Sequence, residues 1–263
     1  MAAVTGVTPE RVGERRSLAI LRTPALLRLT SSIGAAAVSG IVVGGVGGRL
    51  VMRLSALAAD DSRTGMLTEN GNVIGRITVE GTLALLLFVG LITGVGVGLF
   101  LFALRTVLPR RFLPGTLSTV LLALGATIAI DPSNADFVIV GHRALNVAMF
   151  IALFPAFGLL FVVLAERSER WLVGPPLARI APLSLVGTGL GVVLGLLGVG
   201  VIAVSNGPPT GVAVATVTAL GGVAAFAPEG AAVLARRAAL LVLGISTVWG
   251  LVQLAQDART IVG

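Results

Sequence analysis

Arg49 and Arg53 stand one helical turn apart inside the first long apolar run of this chain, in the stretch GVGGRLVMRLSALAADD. That spacing puts both guanidinium groups on one helix face. A guanidinium is built to grip a carboxylate or a phosphate with two parallel hydrogen bonds. Near the centre of a bilayer an arginine costs at least about 2.5–3.5 kcal/mol. If the helix continues to Ala59, Arg49 lies about 15 Å and Arg53 about 9 Å from its end, at 1.5 Å per residue. Arg53 can snorkel to the headgroups from that depth, whereas Arg49 calls for a partner. Acids at the same end of the apolar runs supply candidates. Glu80 opens the second run, Asp131 closes the third, and His142, Arg143 and Asn146 open the fourth. The expected polar cluster is Arg49, Arg53, Glu80, Asp131, His142 and Asn146, with Glu80 or Asp131 holding Arg49. Such a set can bind an anionic or lipid-linked substrate, with a carboxylate as general base. The same residues also fit a structural salt-bridge network, or ordinary interfacial charges and helix-end anchors.

Other chemistries lack their parts. The chain has no cysteine, hence no disulfide, thiol nucleophile or thiolate metal site. His142 is the only histidine, and zinc sites draw on several ligands. His142 and Asn146 form an HxxxN pattern, but the paired glutamates and second histidine that CAAX-type intramembrane proteases set beside it are missing. GIST at Gly244 to Thr247 is no nucleophile elbow, and with no lysine there is no Schiff base for retinal. Neither a metal nor a cofactor is expected. The leading expectation is a non-enzymatic protein, a small-solute transporter or a membrane partner in an envelope assembly. The alternative is a membrane enzyme working through the arginine–carboxylate cluster.

The elements that must position these residues follow from hydropathy. The chain is 56% hydrophobic and 12% charged, where soluble domains carry roughly 25% charge. Apolar runs recur at 33–57, 82–104, 116–131, 145–165, 182–204, 211–227 and 238–255. A helix needs about 20 residues to cross the hydrocarbon core. The expected fold is therefore an all-α integral membrane protein, a polytopic bundle of about seven transmembrane helices, or six if 211–227 is re-entrant. Residues 1–31 form a basic N-terminal segment, part of it an amphipathic stretch (SLAILRTPALLRL) on the membrane surface, and 32–263 one transmembrane domain.

Basic residues orient the bundle. With the N-terminus in the cytoplasm, thirteen of the nineteen arginines fall in inner segments and the C-terminus lies outside. The expected place is the plasma (inner) membrane of a bacterium with a GC-rich genome, arginine replacing lysine throughout. The net charge of +7 does not signal nucleic acid, because the arginines sit at the ends of apolar runs. The partners expected are the bilayer and a membrane protein or a second copy.

Glycines repeat every fourth residue: Gly40, Gly44 and Gly48 in the first run, Gly90, Gly94 and Gly98 in the second, Gly187, Gly191 and Gly195 in the fifth. Small residues at this spacing let helices approach closely in lipid, where hydrophobic force between helices is weak. A phosphate loop would need a preceding strand, so these runs read as packing surfaces. In the loop 58–81, Asn70-Gly71 between alternating apolar residues is a hairpin signal. The connection DPSNADFVIVGHR, apolar in its middle, is expected to fold back over the bundle, and Pro155 to kink the fourth helix.

Overall fold

The structure, a computed structural model, describes residues 23–58, 65, 78–134, 137, 142–173 and 177–263. The Asn70-Gly71 hairpin and the N-terminal stretch before Thr23 lie outside the described residues. The described chain is all helical: α1 (Pro24–Leu57), α2 (Val79–Val107), α3 (Arg110–Ala129, opening with a 3₁₀ turn), α4 (Arg143–Leu172), α5 (Leu177–Ser205), α6 (Gly207–Phe226) and α7 (Glu229–Val262). All seven contain a stretch long and apolar enough to cross a bilayer, and α6 is a continuous helix with an 18-residue span, Pro209–Phe226. Its first turn holds Pro208 and Pro209, where missing N–H groups cost nothing. Pro228 stands just before α7 and separates it from α6.

Two helices reach further than their apolar runs. Arg28 does not end the first span, since α1 begins at Pro24. Leu29, expected on the membrane surface, is buried with Ile33, Leu99 and Phe102. Likewise α4 passes the run's end at 165 and continues through Glu166, Glu169 and Arg170 to Leu172. It also passes Pro155 without a break, and the Pro155 carbonyl accepts a hydrogen bond from Ser118 Oγ at 3.3 Å.

α2 is the hub. Every residue from Gly98 to Val107 is buried, and the helix contacts α1, α5 and α6. A helix apolar on all sides has no solvent face to present, so it belongs in the middle. Around it Phe161 and Val162 of α4, Leu117 and Val120 of α3, and Val214 and Val217 of α6 close the main core. The outward faces of α4, α5 and α7 carry exposed large apolar residues such as Val163, Leu183, Val201, Leu241, Ile245 and Val248. The protein is a multi-pass membrane protein, and these faces meet lipid.

The α1–α2 seam is the tightest. Gly40–Gly47 of α1 and Leu85–Ile92 of α2 are π-helical and pack on each other. A Cβ at Gly94 would come within 2.6 Å of the Ala36 carbonyl oxygen, and one at Gly90 within 3.0 Å of Ile41 Cα. Gly40 faces the Gly90 carbonyl so closely that no side chain fits. Gly44 has more room, with Val89 O at 3.2 Å; Gly48 meets only Leu85 Cδ2 at 3.8 Å, and Gly98 lies 3.4 Å from Ile33 Cα. On α5, Gly191 and Gly195 receive the side chains of Ile33 and Leu99, while a Cβ at Gly187 would meet nothing within 4 Å. The backbone-to-backbone approach of α5 to α2 instead runs through Gly198, where a Cβ would lie 2.7 Å from Gly96 Cα.

Candidate functional site

The helices alternate in direction, so the bundle has two ends. One carries Arg28, Arg105, Arg110 and Arg170; at the other lie Arg49, Glu80, Asp131 and His142.

At this second end lie the residues of the expected cluster. Arg49 is half-buried, and its guanidinium donates to the backbone carbonyl of Thr78 at 3.4 Å. Its Nε is buried and, like the Ser55 hydroxyl, has no hydrogen-bond partner among the described residues. Among the described residues Arg49 makes no ion pair with Glu80 or Asp131. The reason is local: Thr78 caps α2, its hydroxyl accepting from the Gly81 N–H at 3.1 Å, and this sets Glu80 on an exposed first turn. Asp131 turns back on its own chain, taking the Ser133 N–H at 2.8 Å and the Ser133 hydroxyl at 2.7 Å. Those two bonds hold its carboxyl below the usual carboxylate range. His142 and Arg53 are exposed, and Asn146 is buried on the first turn of α4. Nearby Phe137, from the connection between α3 and α4, is buried edge-on to Phe150, ring centroids 5.7 Å apart.

The first end holds what the sequence reading missed. Arg105 lies in the last turn of α2 yet is only 7% exposed, and each of its terminal nitrogens has a partner. Nη1 donates to the hydroxyls of Ser31 and Ser32, both at 2.9 Å, and Nη2 to Glu169 Oε2 at 2.8 Å. Arg28 stands on the other side of the same carboxylate, Nε to Oε1 at 3.8 Å. Among the described residues these two contacts to Glu169 are the ion pairs present. The network joins α1, α2 and α4.

Above it opens a cleft of about 320 Å³, lined by Arg28, Arg105, Arg110, Leu113, Glu166, Glu169, Arg170 and Val173. Arg110, Glu166 and Arg170 are exposed. Arg110 and Arg170 take part in no ion pair among the described residues. Four arginines against two glutamates leave the cleft with positive charge to spare, and guanidinium groups offer a fork geometry that suits carboxylates and phosphates. Glu166 and Glu169 lie three apart on α4, the spacing of neighbours on a helix surface. That pair amid arginines was the available sequence signal.

No three His, Cys, Asp or Glu side chains gather in a metal-binding group among the described residues. No family model, no curated protein and no solved structure matches this chain.

Proposed function

We propose that this chain is a plasma-membrane protein with its N-terminus in the cytoplasm, and that it acts without catalysis by recognising an anionic group in the Arg28–Arg105–Glu169 cleft. Small-solute transport or a role in an envelope assembly would both employ such a site. The observation that carries this reading is the division of labour among the arginines. Arg105 is fully engaged with Ser31, Ser32 and Glu169 and braces three helices. Arg110 and Arg170 stand exposed around an open cleft, with no ion pair among the described residues. Concave sites of a few hundred Å³ with a few convergent polar groups are the usual form of small-ligand pockets. The excess of arginine at this end supports a cytoplasmic orientation.

Two measurements test it. In nanodiscs of neutral lipid, millimolar inorganic phosphate should raise the melting temperature of the wild type and not of Arg28→Gln/Arg170→Gln; no shift in the wild type would sink the reading. In intact cells, an impermeant maleimide should label Thr260→Cys but not Glu229→Cys, both positions being exposed. The reverse pattern would place the cleft on the outer side.

A second reading puts substrate recognition at the opposite end, at Arg49, Arg53, Glu80, Asp131, His142 and Asn146. The buried Nε of Arg49, without a hydrogen-bond partner among the described residues, favours it. Phosphate stabilisation lost in Arg49→Gln and kept in Arg28→Gln/Arg170→Gln would select it.

A further inference from the structure

We infer that the cleft takes the phosphate monoester headgroup of a membrane lipid, entering sideways from the surrounding leaflet. The inference rests on the anion-binding reading above and narrows it in charge and in source.

Charge comes first. The lining residues are Arg28, Arg105, Arg110 and Arg170 with Glu166 and Glu169, so two positive charges remain after the glutamates are matched. A phosphate monoester carries about −1.5 to −2 at neutral pH. It neutralises the surplus, where a phosphodiester with one charge leaves half of it. The guanidinium groups available to a ligand come from three helices: Arg28 from α1, Arg110 from the start of α3 and Arg170 from α4. Among the described residues only Arg28 of these three has an ion pair, and its 3.8 Å contact with Glu169 is long. Arg105 cannot turn to a ligand without giving up Ser31, Ser32 or Glu169. It is a positioning residue.

Depth decides the source. Trp171, half exposed, follows Arg170 directly, and exposed Phe112 lies under the Arg111 guanidinium, 4.5 Å from ring centroid to Cζ. The amphipathic ring of Trp171 suits the level of lipid headgroups, and Phe112 stands beside the charged Arg111 at the same end of the bundle. They flank the cleft on α4 and α3. Its lining also includes two apolar residues, the buried Leu113 and the exposed Val173, and the exposed valine offers a contact that an inorganic phosphate would not use and the first methylenes of an acyl chain would. A ligand seated here has its phosphate among the arginines and its ester side toward lipid.

The test uses the full chain in nanodiscs containing equal mole fractions of phosphatidic acid, phosphatidylglycerol and phosphatidylcholine, with retained lipid read by native mass spectrometry. Phosphatidic acid should be retained about tenfold over phosphatidylglycerol, as expected for one additional charge-assisted contact. Arg28→Gln/Arg110→Gln/Arg170→Gln should lose that preference. Arg236→Gln/Arg237→Gln, two exposed charges at the same end outside the cleft, should keep it. If the triple variant fails to fold, Arg110→Gln alone, at an exposed position, should still lower the ratio severalfold. Equal retention of the two anionic lipids overturns the monoester assignment, as does loss of preference in the Arg236/Arg237 control. Stabilisation by soluble phosphate with no lipid preferred overturns the lipid source while leaving anion recognition in place. Binding of neither lipid nor phosphate defeats both readings.

Discussion

Arg49 and Arg105 stand on neighbouring helices at opposite ends of the same bundle, each within a few turns of a helix end. Arg49 interrupts an apolar run and looks deep; Arg105 sits near the close of one and looks superficial. Their surroundings are the reverse of that appearance. Arg49 is half-buried on one 3.4 Å bond to a backbone carbonyl, whereas Arg105 is nearly closed off and bonded to two hydroxyls and a carboxylate. Position along a run measures distance from one helix's end. Burial depends on how many other helices crowd that level, and α2 is crowded near Arg105 on every side.

The sharpest way to break this comparison is to remove each arginine in turn. Arg105→Leu leaves Glu169 facing only the long contact from Arg28, and should cost about 3–5 kcal/mol in a reversible detergent unfolding assay. Arg105→Leu/Glu169→Leu should lose less than the two single changes together, because no lone charge remains. Arg49→Leu removes a single marginal bond and should cost about 1 kcal/mol or less. Comparable losses for the two arginines would erase the distinction between the ends.

The glycine seams test whether tightness, like burial, concentrates on α2. Gly94→Leu should destabilise most, by about 2–3 kcal/mol, since the Ala36 carbonyl stands in its way. Gly44→Leu should cost about 1 kcal/mol. Gly187→Leu, with nothing nearby, should stay within about 0.5 kcal/mol of wild type. Thermal melting of the three variants in one detergent gives the ranking, and a large loss at Gly187 would show that α5 packs through its stripe in the assembled membrane.

The smallest effect belongs to Asp131. Its folded carboxyl is held low by Ser133, so the stability it adds is present above the unfolded value and is lost as pH falls through the folded one. Ser133→Ala should melt slightly below wild type at neutral pH. The gap should close well below pH ~4, where the unfolded carboxyl is protonated. A gap independent of pH would mean that Ser133 acts by turn geometry alone.

The seven helices were legible because a span is announced by length and composition in one stretch of chain. Their ends were less so. Hydropathy treats a charge as the edge of a span, so it stopped the first run short of Arg28 and the fourth short of Glu166. In the folded bundle those residues lie on continuing helices and Arg28 meets Glu169, so neither ends anything. The Arg105 network was illegible for a related reason. Its partners are 64 to 74 residues away, and no local pattern ties Ser31 and Ser32 to Glu169. The glycine pattern was read from a straight helix. The π-helical stretches in α1 and α2 change the turn, so Gly45 faces Leu86 there, and on the α-helical part of α2 Gly96 faces Gly198 of α5; neither Gly45, Gly96 nor Gly198 belongs to the four-residue repeat.

The central place of α2 also imposes a schedule. It leaves the ribosome before α4, α5 and α6, yet the neighbours that enclose Leu99–Val107 include α5 and α6, and the carboxylate for Arg105 arrives with α4. Chains are made from the N-terminus, and each segment waits for its later partners. Until then a stretch that the finished protein buries completely, Gly98–Val107, stands exposed, its guanidinium in search of water or headgroups. Nascent chains halted before Glu169 should therefore be the ones that quality-control proteases recognise, and release from that scrutiny should coincide with the appearance of α4.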